Sequence, residues 1–216
     1  MIIVGAKGFA KEVLEIFAQL GTQTNIFFFD NVSIGLGDKI YNQFPLLRTV
    51  EEVHQVFKAT NDNSFVLGLG NPPLRYQMDK LMVSAGGKLT SLVSPFVQVG
   101  HFGNIISEGC CIMTGTVITN DVHMGRGSLI NLNCTIGHDC IIGDFVEMSP
   151  GVNISGNCRI GSFCNLGTNS VVLPQVTLGK NVVVGAGAVV TKDVPDNSLV
   201  VGIPGIVKKT FPPLNL

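Results

Sequence analysis

The chain has 216 residues, enough for one large domain or two small ones, and its composition excludes several classes of protein. Its formal net charge is −1 and it has no basic block, which argues against a nucleic-acid-binding surface. Only 13% of residues are charged and the mean hydropathy is +0.41, yet no apolar run approaches the ~18 residues that a membrane-spanning helix needs. We therefore expect the apolar excess to be buried in a core, in a subunit interface, or in both.

The cysteines and the first residues bear on localisation. None of the six cysteines forms a C-x-x-C pair, so the sequence lacks the usual zinc and redox patterns. The stretch "MIIVGAKGF" has no basic region before its apolar residues, so no signal peptide is expected. These features predict a cytoplasmic protein whose thiols stay reduced.

Residues 1–93 are predicted to alternate short strands with helices. The stretches "MIIV", "NIFFFD", "SFVLGLG" and "KLTSLV" are predicted strands. Predicted helices cover "KEVLEIFAQLG", the segment opened by the capping box "TVEE", and "PPLRYQMDKLMVSAGG". This alternation predicts a small Rossmann-like α/β domain with a parallel sheet.

The first strand, turn and helix have the pattern of a phosphate-binding segment. In "VGAKGFAKEV", Gly5 and Gly8 permit a tight turn, and the amides at a helix N-terminus attract phosphate. Asp30 ends the second predicted strand, as in dinucleotide-binding folds. A merely structural turn is the alternative, because Ala10 occupies the third glycine position.

Residues 94–216 have a different rhythm, a period of six that runs to about residue 200. An aliphatic residue returns at every sixth position, and a small or β-branched residue lies two positions before most of them. The fifteen aliphatic positions are Ile106, Ile112, Ile118, Met124, Ile130, Ile136, Ile142, Met148, Ile154, Ile160, Leu166, Val172, Leu178, Val184 and Val190. Such hexads predict a three-sided parallel β-helix whose coils stack at the ~4.8 Å strand spacing, followed by a C-terminal cap.

One corner of the predicted coil carries a histidine next to a carboxylate. His138 is followed directly by Asp139, and Gly156 lies one coil of eighteen residues further on, which leaves space beside the imidazole. A histidine with a carboxylate on its other ring nitrogen suits general-base catalysis, and the Gly156 amide is a candidate oxyanion donor. The alternative is a solvated turn histidine.

A zinc site built from His101, His123 and His138 is disfavoured. Zinc ligands must lie about 2.1 Å from one ion. His101 lies near the column of His138 but two coils away, roughly 10 Å by strand spacing, and His123 occupies a different place around the coil. No metal is therefore expected.

The whole layout resembles a known family. The hexads, the motif "GHD", the N-terminal "VGAKGFAKEV", the stretch "LGLGNPPLR" and the ending "GAGAVVTKDVPDNSLVVGIPGIVKK" are similar to the hexapeptide-repeat sugar acetyltransferases. The branch is that of the sialic-acid O-acetyltransferases and bacillosamine-pathway N-acetyltransferases. The resemblance implies a left-handed β-helix, a homotrimer and acetyl-CoA as co-substrate.

The resemblance also implies site residues. It makes His138 the catalytic base and Asp139 its assistant. Some relatives carry a second histidine nine residues after the first, where this chain has Glu147. The implied substrate-binding residues are Gly5, Lys7, Gly8, Asp30, Asn71, Asn131 and Glu147. The implied acetyl-CoA-binding residues are Gly156, Gly167, Thr168, Gly185 and Ala186.

We therefore predict an acetyltransferase that acts on the amino group of a nucleotide-linked sugar in surface-glycan precursor synthesis. Residues 1–93 would bind the sugar nucleotide, and residues 94–216 would hold the acyltransferase site. Two alternatives stay open: O-acetylation of a sugar of the sialic-acid type, and a non-catalytic sugar-nucleotide-binding protein.

Overall fold

The computed structural model describes residues 1–216, and its N-terminal part is a six-stranded sheet with three helices. The strands are β1 (Ile2–Val4), β2 (Phe27–Phe29), β3 (Lys39–Ile40), β4 (Phe44–Leu47), β5 (Ser64–Leu67) and β6 (Lys88–Leu89), and the helices are α1 (Gly8–Gln19), α2 (Val50–Thr60) and α3 (Pro72–Ser84). The strand order is β3-β4-β2-β1-β5-β6, and only the β3–β4 pair is antiparallel. This part of the chain, residues 1–91, is called the α/β unit below.

Both faces of this sheet are covered by helices. Ile3 of β1 packs in one apolar cluster with residues of α1, whereas Ile2 and Val4 pack in another with Val53 of α2 and Met82 of α3. Alternate residues of a strand point to opposite faces, so a strand buried on both sides must be apolar throughout, as "IIV" and "FFF" are. The predicted α/β alternation is confirmed.

Two strand predictions differ from the structure. β3 and β4 lie outside the predicted strands, and β4 contains Pro45, a residue that is rare in strands because it lacks an N–H donor. The pairing of β4 with β2 begins only at Leu46, so the missing donor of Pro45 interrupts no bond on that side. The predicted strand "KLTSLV" is two strands: β6 completes the first sheet, and Leu92–Val93 already belongs to the coil.

The rest of the chain winds as a three-sided coil of two-residue strands. They are β7 (Leu92–Val93), β8 (Gln98–Val99), β9 (Ile105–Ile106), β10 (Cys111–Ile112), β11 (Val117–Ile118), β12 (His123–Met124), β13 (Leu129–Ile130), β14 (Thr135–Ile136), β15 (Ile141–Ile142), β16 (Glu147–Met148), β17 (Asn153–Ile154), β18 (Arg159–Ile160), β19 (Asn165–Leu166), β20 (Val171–Val172), β21 (Thr177–Leu178), β22 (Val183–Val184) and β23 (Val189–Val190). Every third strand belongs to the same parallel sheet. The sides that begin with β7, β8 and β9 are called the first, second and third sides.

The hexad prediction describes the interior of the coil correctly. Fourteen of the fifteen aliphatic positions are buried, and Ile106 in the first coil is partly buried. Pairing joins residues eighteen apart, as in Thr135–Asn153–Val171. All six cysteines are buried and free, and five of them occupy the small inward position, where they pack as small apolar side chains.

The C-terminal cap closes the last coil with two longer strands. β24 (Ser198–Val201) continues the first side, and β25 (Ile206–Thr210) pairs with it in the antiparallel sense. No helix in the molecule combines the length and the apolar character that crossing a membrane requires.

The α/β unit packs directly on the first side of the coil. Leu92, Cys111 and Leu129 from that side join the apolar cluster around α1. A second contact is the ion pair between Arg126 of the coil and Asp79 of α3, with nitrogen–oxygen distances of 2.8 to 3.1 Å. The two parts therefore share an apolar cluster at their contact, while the interior of the coil forms a core of its own; the domain boundary at residue 93 remains a prediction.

Candidate active site

The corner between the second and third sides carries the predicted histidine. His138 lies directly above Gly156 of the next coil: a β-carbon built on Gly156 would stand 2.6 Å from its Nε2 atom and 2.7 Å from its Cε1 atom. Only glycine at position 156 leaves room for the imidazole in this orientation. The stacking of residues 138 and 156 that the eighteen-residue period predicts is therefore present.

A carboxylate fixes the orientation of this ring. Asp139 has a φ of 59°, and this left-handed corner conformation brings its side chain beside its neighbour. Its Oδ2 lies 2.7 Å from Nδ1 of His138. Nδ1–H therefore donates to the carboxylate, and Nε2 is left as the basic atom that faces Gly156. The side chains of His138 and Asp139 are 63% and 53% exposed, so a substrate can reach them.

The corner between the first and second sides carries five more residues of the prediction. Asn131 is buried there, and its Oδ1 accepts a hydrogen bond from the Leu132 amide at 2.7 Å. Later coils place Gly167, Thr168, Gly185 and Ala186 at the same corner. Within one chain, Asn131 and His138 lie at opposite ends of one side of the coil, with β14 between them. These two predicted site residues therefore lie at different corners of one chain.

The α/β unit holds a cavity of about 340 Å³. It is lined by the turn after β1, the end of β2, the end of β5 and the start of α3, and Gly5, Lys7 and Asp30 of the prediction lie in its wall. Gly5 has a φ of 108°, and a β-carbon there would stand 2.7 Å from the Gly68 carbonyl oxygen, so glycine is required. The carboxyl ends of parallel strands meet here, which is the usual ligand-binding edge of such sheets.

Gly8 and Asn71 belong to helix starts beside the cavity rather than to its wall. Gly8 is the first residue of α1, whose N-terminus has no side-chain cap and no acidic residue in its first turn. Asn71 caps α3, and its Oδ1 accepts a hydrogen bond from the Leu74 amide at 3.0 Å. The uncapped amides of α1 are free for an anion, whereas the oxygen of Asn71 is already used.

Arg48 holds the loop that carries Asp30 in place, and no motif in the sequence marks this residue. Its guanidinium donates to the carbonyl oxygens of Asp30, Ser33 and Leu36 at 3.1, 2.9 and 2.7 Å. Burial alone would raise the pKa of Asp30, but hydrogen bonds from Ser33 and Val32 and the charge of Arg48 outweigh burial and lower it. Asp30 is therefore an ionised acceptor whose Oδ1 accepts hydrogen bonds from the amides of Val32 and Ser33, while its Oδ2 accepts none from a backbone amide.

Glu147 lies where the cavity meets the coil. It stands on the first side, between Leu129 and Asn165 in the ladder, and a β-carbon on Gly70 in the cavity wall would lie 3.1 Å from its Oε1. Burial raises the pKa of its carboxyl to about 7, against the opposing charge of Arg75. Glu147 is thus close to the cavity but on a different side of the coil from His138.

Arg75 is the charged neighbour that sequence reasoning missed. It is 1% exposed, its Nε has no hydrogen-bond partner, and burial lowers its pKa to about 10. The sequence contains a pattern that could have indicated its burial. Arg75, Asp79 and Met82 recur at helical spacing and form the buried face of α3. A helix whose buried face carries two opposite charges must place them against polar partners.

The raised pKa of Glu147 predicts a pH-dependent stability. The folded chain keeps this proton up to about pH 7, whereas the usual value of 4.5 applies after unfolding. The folded state therefore binds more protons between these values, and its free energy of unfolding falls as the pH rises through them. Glu147→Gln is expected to remove this part of the slope. Urea unfolding of both proteins between about pH 5 and pH 8 measures the difference, and parallel profiles would contradict the assignment.

No group of three metal-ligating side chains exists in the structure. His101 and His123 are exposed residues of other coils and do not converge with His138.

A fold of stacked hexads with an accessible histidine–carboxylate pair at its corner defines a hexapeptide-repeat transferase. The sequence family described as "PglD N-terminal domain" matches residues 1–80, and that described as "Bacterial transferase hexapeptide (six repeats)" matches residues 157–192. The acetyltransferase domain of PglB from Neisseria gonorrhoeae is 32% identical, with a TM-score of 0.86 over 96% of this chain and 98% of that one, and it has also been solved with acetyl coenzyme A. The chain belongs to the family of left-handed β-helix sugar acetyltransferases that contains this domain.

Two further solved structures are similar over nearly the whole chain. WeeI from Acinetobacter baumannii is 28% identical, with a TM-score of 0.87 over 96% of this chain and 98% of that one. A histidine-to-asparagine variant of perosamine N-acetyltransferase from Caulobacter crescentus, in complex with CoA and GDP-perosamine, is 25% identical, with a TM-score of 0.86 over 96% of each chain. No curated protein sequence matches this chain. The predicted fold and family are confirmed.

Proposed function

We propose that this protein transfers the acetyl group of acetyl-CoA to the amino group of a nucleotide-linked sugar, in the synthesis of a surface-glycan precursor. The observation that carries this proposal is the imidazole of His138, held by Asp139 above Gly156 at an accessible corner of the coil. The likeness to enzymes solved with CoA and with GDP-perosamine supports the choice of both substrates.

The pair of residues at this corner suits general-base catalysis. Nε2 of His138 accepts the proton of the sugar nitrogen as that nitrogen attacks the thioester carbonyl. Asp139 stabilises the imidazolium that forms, because its carboxylate accepts the Nδ1–H bond at 2.7 Å. The same proton then passes to the sulfur as the carbon–sulfur bond breaks. A base placed in this way typically accelerates a reaction about 10²- to 10⁴-fold.

The Gly156 amide is placed to stabilise the negative charge on the thioester oxygen. It donates no hydrogen bond within the chain, unlike the Asn157 amide, which donates to the His138 carbonyl oxygen at 2.8 Å. A free backbone donor beside the base is the arrangement that an oxyanion needs.

The cavity of the α/β unit suits the nucleotide. The uncapped start of α1 attracts its phosphates, with Lys7 adding a positive charge. Oδ2 of Asp30 is free to accept a ribose hydroxyl. Gly5 keeps the backbone close to the ligand.

The corner of Gly167, Thr168, Gly185 and Ala186 suits the extended arm of acetyl-CoA. Gly167 and Ala186 are so closely stacked that a β-carbon on Gly167 would lie 2.6 Å from the Ala186 amide nitrogen. Small residues at this corner let a thin chain run against the backbone. The coil itself also requires glycine at these corners, so the proposed acetyl-CoA-binding role is supported by the family resemblance.

We further propose that the enzyme is a homotrimer in the cytoplasm. In one chain, the cavity and Glu147 lie on the first side, whereas His138 lies at the corner between the second and third sides. A neighbouring copy that brings its corner to the cavity would complete the site. The six free thiols suit a reducing compartment.

A CoA-release assay with a panel of nucleotide-linked amino sugars tests the proposal. Release that depends on an amino sugar, with the product acetylated at nitrogen, is the expected result. Each amino sugar should be paired with its hydroxyl counterpart, because release with the hydroxyl acceptor alone would identify an O-acetyltransferase. Failure to bind acetyl-CoA in calorimetry would instead identify a sugar-nucleotide-binding protein without this activity.

Gly156→Ala is expected to lower kcat by about 10- to 100-fold. The added methyl group would stand 2.6 Å from Nε2 of His138, so the imidazole must leave its position. The backbone conformation of Gly156 does not require glycine, and the ring is exposed, so the melting temperature should change by less than about 2 °C. Gly37→Ala is the matched control, because a β-carbon there meets nothing within 4 Å. Equal kcat values for the two variants would argue against the assigned position of the base.

A further inference from the structure

The carboxylate of Glu147 has one oxygen with a partner and one without. Oε2 accepts a hydrogen bond from Nδ2 of Asn165 at 3.2 Å. Oε1 accepts none within the chain and points toward Gly70, whose backbone forms part of the cavity wall. Oε1 therefore lies at the junction between the cavity wall at Gly70 and the first side of the coil.

Arg75 stands behind this carboxylate as a second incompletely paired group. The only hydrogen bond of its guanidinium group is a long one, 3.5 Å from Nη1 to the Val146 carbonyl oxygen, and its Nε has no partner. Arg75 and Glu147 form no direct ion pair. A buried pair whose purpose was stability would be closed, because an open one costs the desolvation of both charges without the full attraction.

The position of the two groups indicates a ligand-binding purpose. Arg75 lies one helical turn after Asn71, at the start of α3, which lines the cavity through Leu74 and Met78. Burial raises the pKa of Glu147 to about 7 against the opposing charge of Arg75, so above about pH 7 the carboxylate is ionised and is a strong acceptor for a hydroxyl or an ammonium group. Buried polar groups that lack partners at the edge of a cavity are characteristic of functional sites.

We propose that Oε1 of Glu147, backed by Arg75, accepts a hydrogen bond from the sugar of the bound nucleotide sugar and so determines which sugars react. This inference rests on the proposed function. It assigns the nucleotide to the cavity between Gly5 and Asp30, and the sugar to the junction between Gly70 and Glu147. Arg75 is a positioning residue that does not touch the substrate.

Calorimetry that compares the Kd of a nucleotide sugar with the Kd of the free nucleotide tests this assignment of separate nucleotide and sugar positions. Two probe pairs are tried with the wild type: GDP-perosamine with GDP, and UDP-glucosamine with UDP. The pair that the wild type binds more tightly is then used for all variants. Glu147→Gln removes the charge but keeps an oxygen for Asn165. It is expected to raise the Kd of the nucleotide sugar at least about tenfold and to change that of the free nucleotide less than about twofold.

Two more variants sharpen the test. Gly70→Ala places a methyl group 3.1 Å from Oε1, so it should weaken the nucleotide sugar selectively, as Glu147→Gln does. Glu15→Gln removes an exposed carboxylate of α1 and should change neither Kd. Unchanged sugar binding in Glu147→Gln, or an equal loss for sugar and free nucleotide, would overturn the inference while leaving the proposed function intact. A wild type that binds none of the four probes would count against both.

Discussion

Replacing His138 with alanine is expected to lower kcat at least about a hundredfold without unfolding the protein. The imidazole is the only basic group at its corner whose orientation is fixed by a carboxylate, and its side chain is 63% exposed, so little packing is lost. The substitution should leave the KM for both substrates within a few fold, because the ring acts on the proton in transfer. Steady-state kinetics of CoA release and a melting curve measure the two properties together.

His123→Ala is the matched control for this experiment. His123 is an exposed histidine on the third side, in β12 of the preceding coil, and it does not lie at the corner of His138. The His123→Ala variant should keep the wild-type kcat. If His138→Ala kept full activity, or if both variants lost activity equally, the base would have to be sought elsewhere.

Replacing Arg126 with alanine is expected to lower the free energy of unfolding by about 2 kcal/mol. Its guanidinium binds both oxygens of Asp79, at 2.8 and 3.0 Å, and the Asp79 side chain is only 8% exposed. The variant therefore leaves a buried carboxylate without its counter-charge. Such losses reach about 3–5 kcal/mol for fully buried pairs, and the value is lower here because the Arg126 side chain is 29% exposed. Urea denaturation measures the change.

A double-mutant cycle separates this charge effect from lost packing. Asp79→Asn in the Arg126→Ala background should restore part of the stability, because the buried group is then neutral. Arg159→Ala serves as a control, since Arg159 is exposed on the third side and forms no ion pair. Additive losses in the cycle would mean that the two side chains do not act as a pair.

The coil could be predicted from the sequence because every hexad must place an aliphatic side chain in the interior. A residue such as Ile136 points inward in every hexad, and the eighteen-residue ladder then places residue 138 above residue 156 without further information. The strand–helix alternation of the α/β unit was predictable for the same reason. The capping box of Thr49 and Glu52 is formed as expected.

What could not be predicted depends on contacts between distant parts of the chain. Arg75 and Glu147 are seventy-two residues apart, and only the packing of α3 against the first side brings their charges together. Arg48 binds three carbonyl oxygens of a loop whose path no local pattern specifies. The strand containing Pro45 was missed because local propensity opposed a pairing that its neighbours favour.

The passage from β6 to β7 has a consequence for how the molecule unfolds and evolves. Only Thr90 and Ser91 separate the last strand of one sheet from the first strand of the coil. The Thr90 amide donates to the Phe65 carbonyl oxygen of the first sheet, and the Ser91 hydroxyl accepts a hydrogen bond from the Cys110 amide of the coil. A connection this short leaves no flexible hinge between the α/β unit and the coil, so the two parts should melt in one cooperative transition. It also means that neither half can be exchanged by recombination for a foreign counterpart without exposing Leu92 and Leu129 to water.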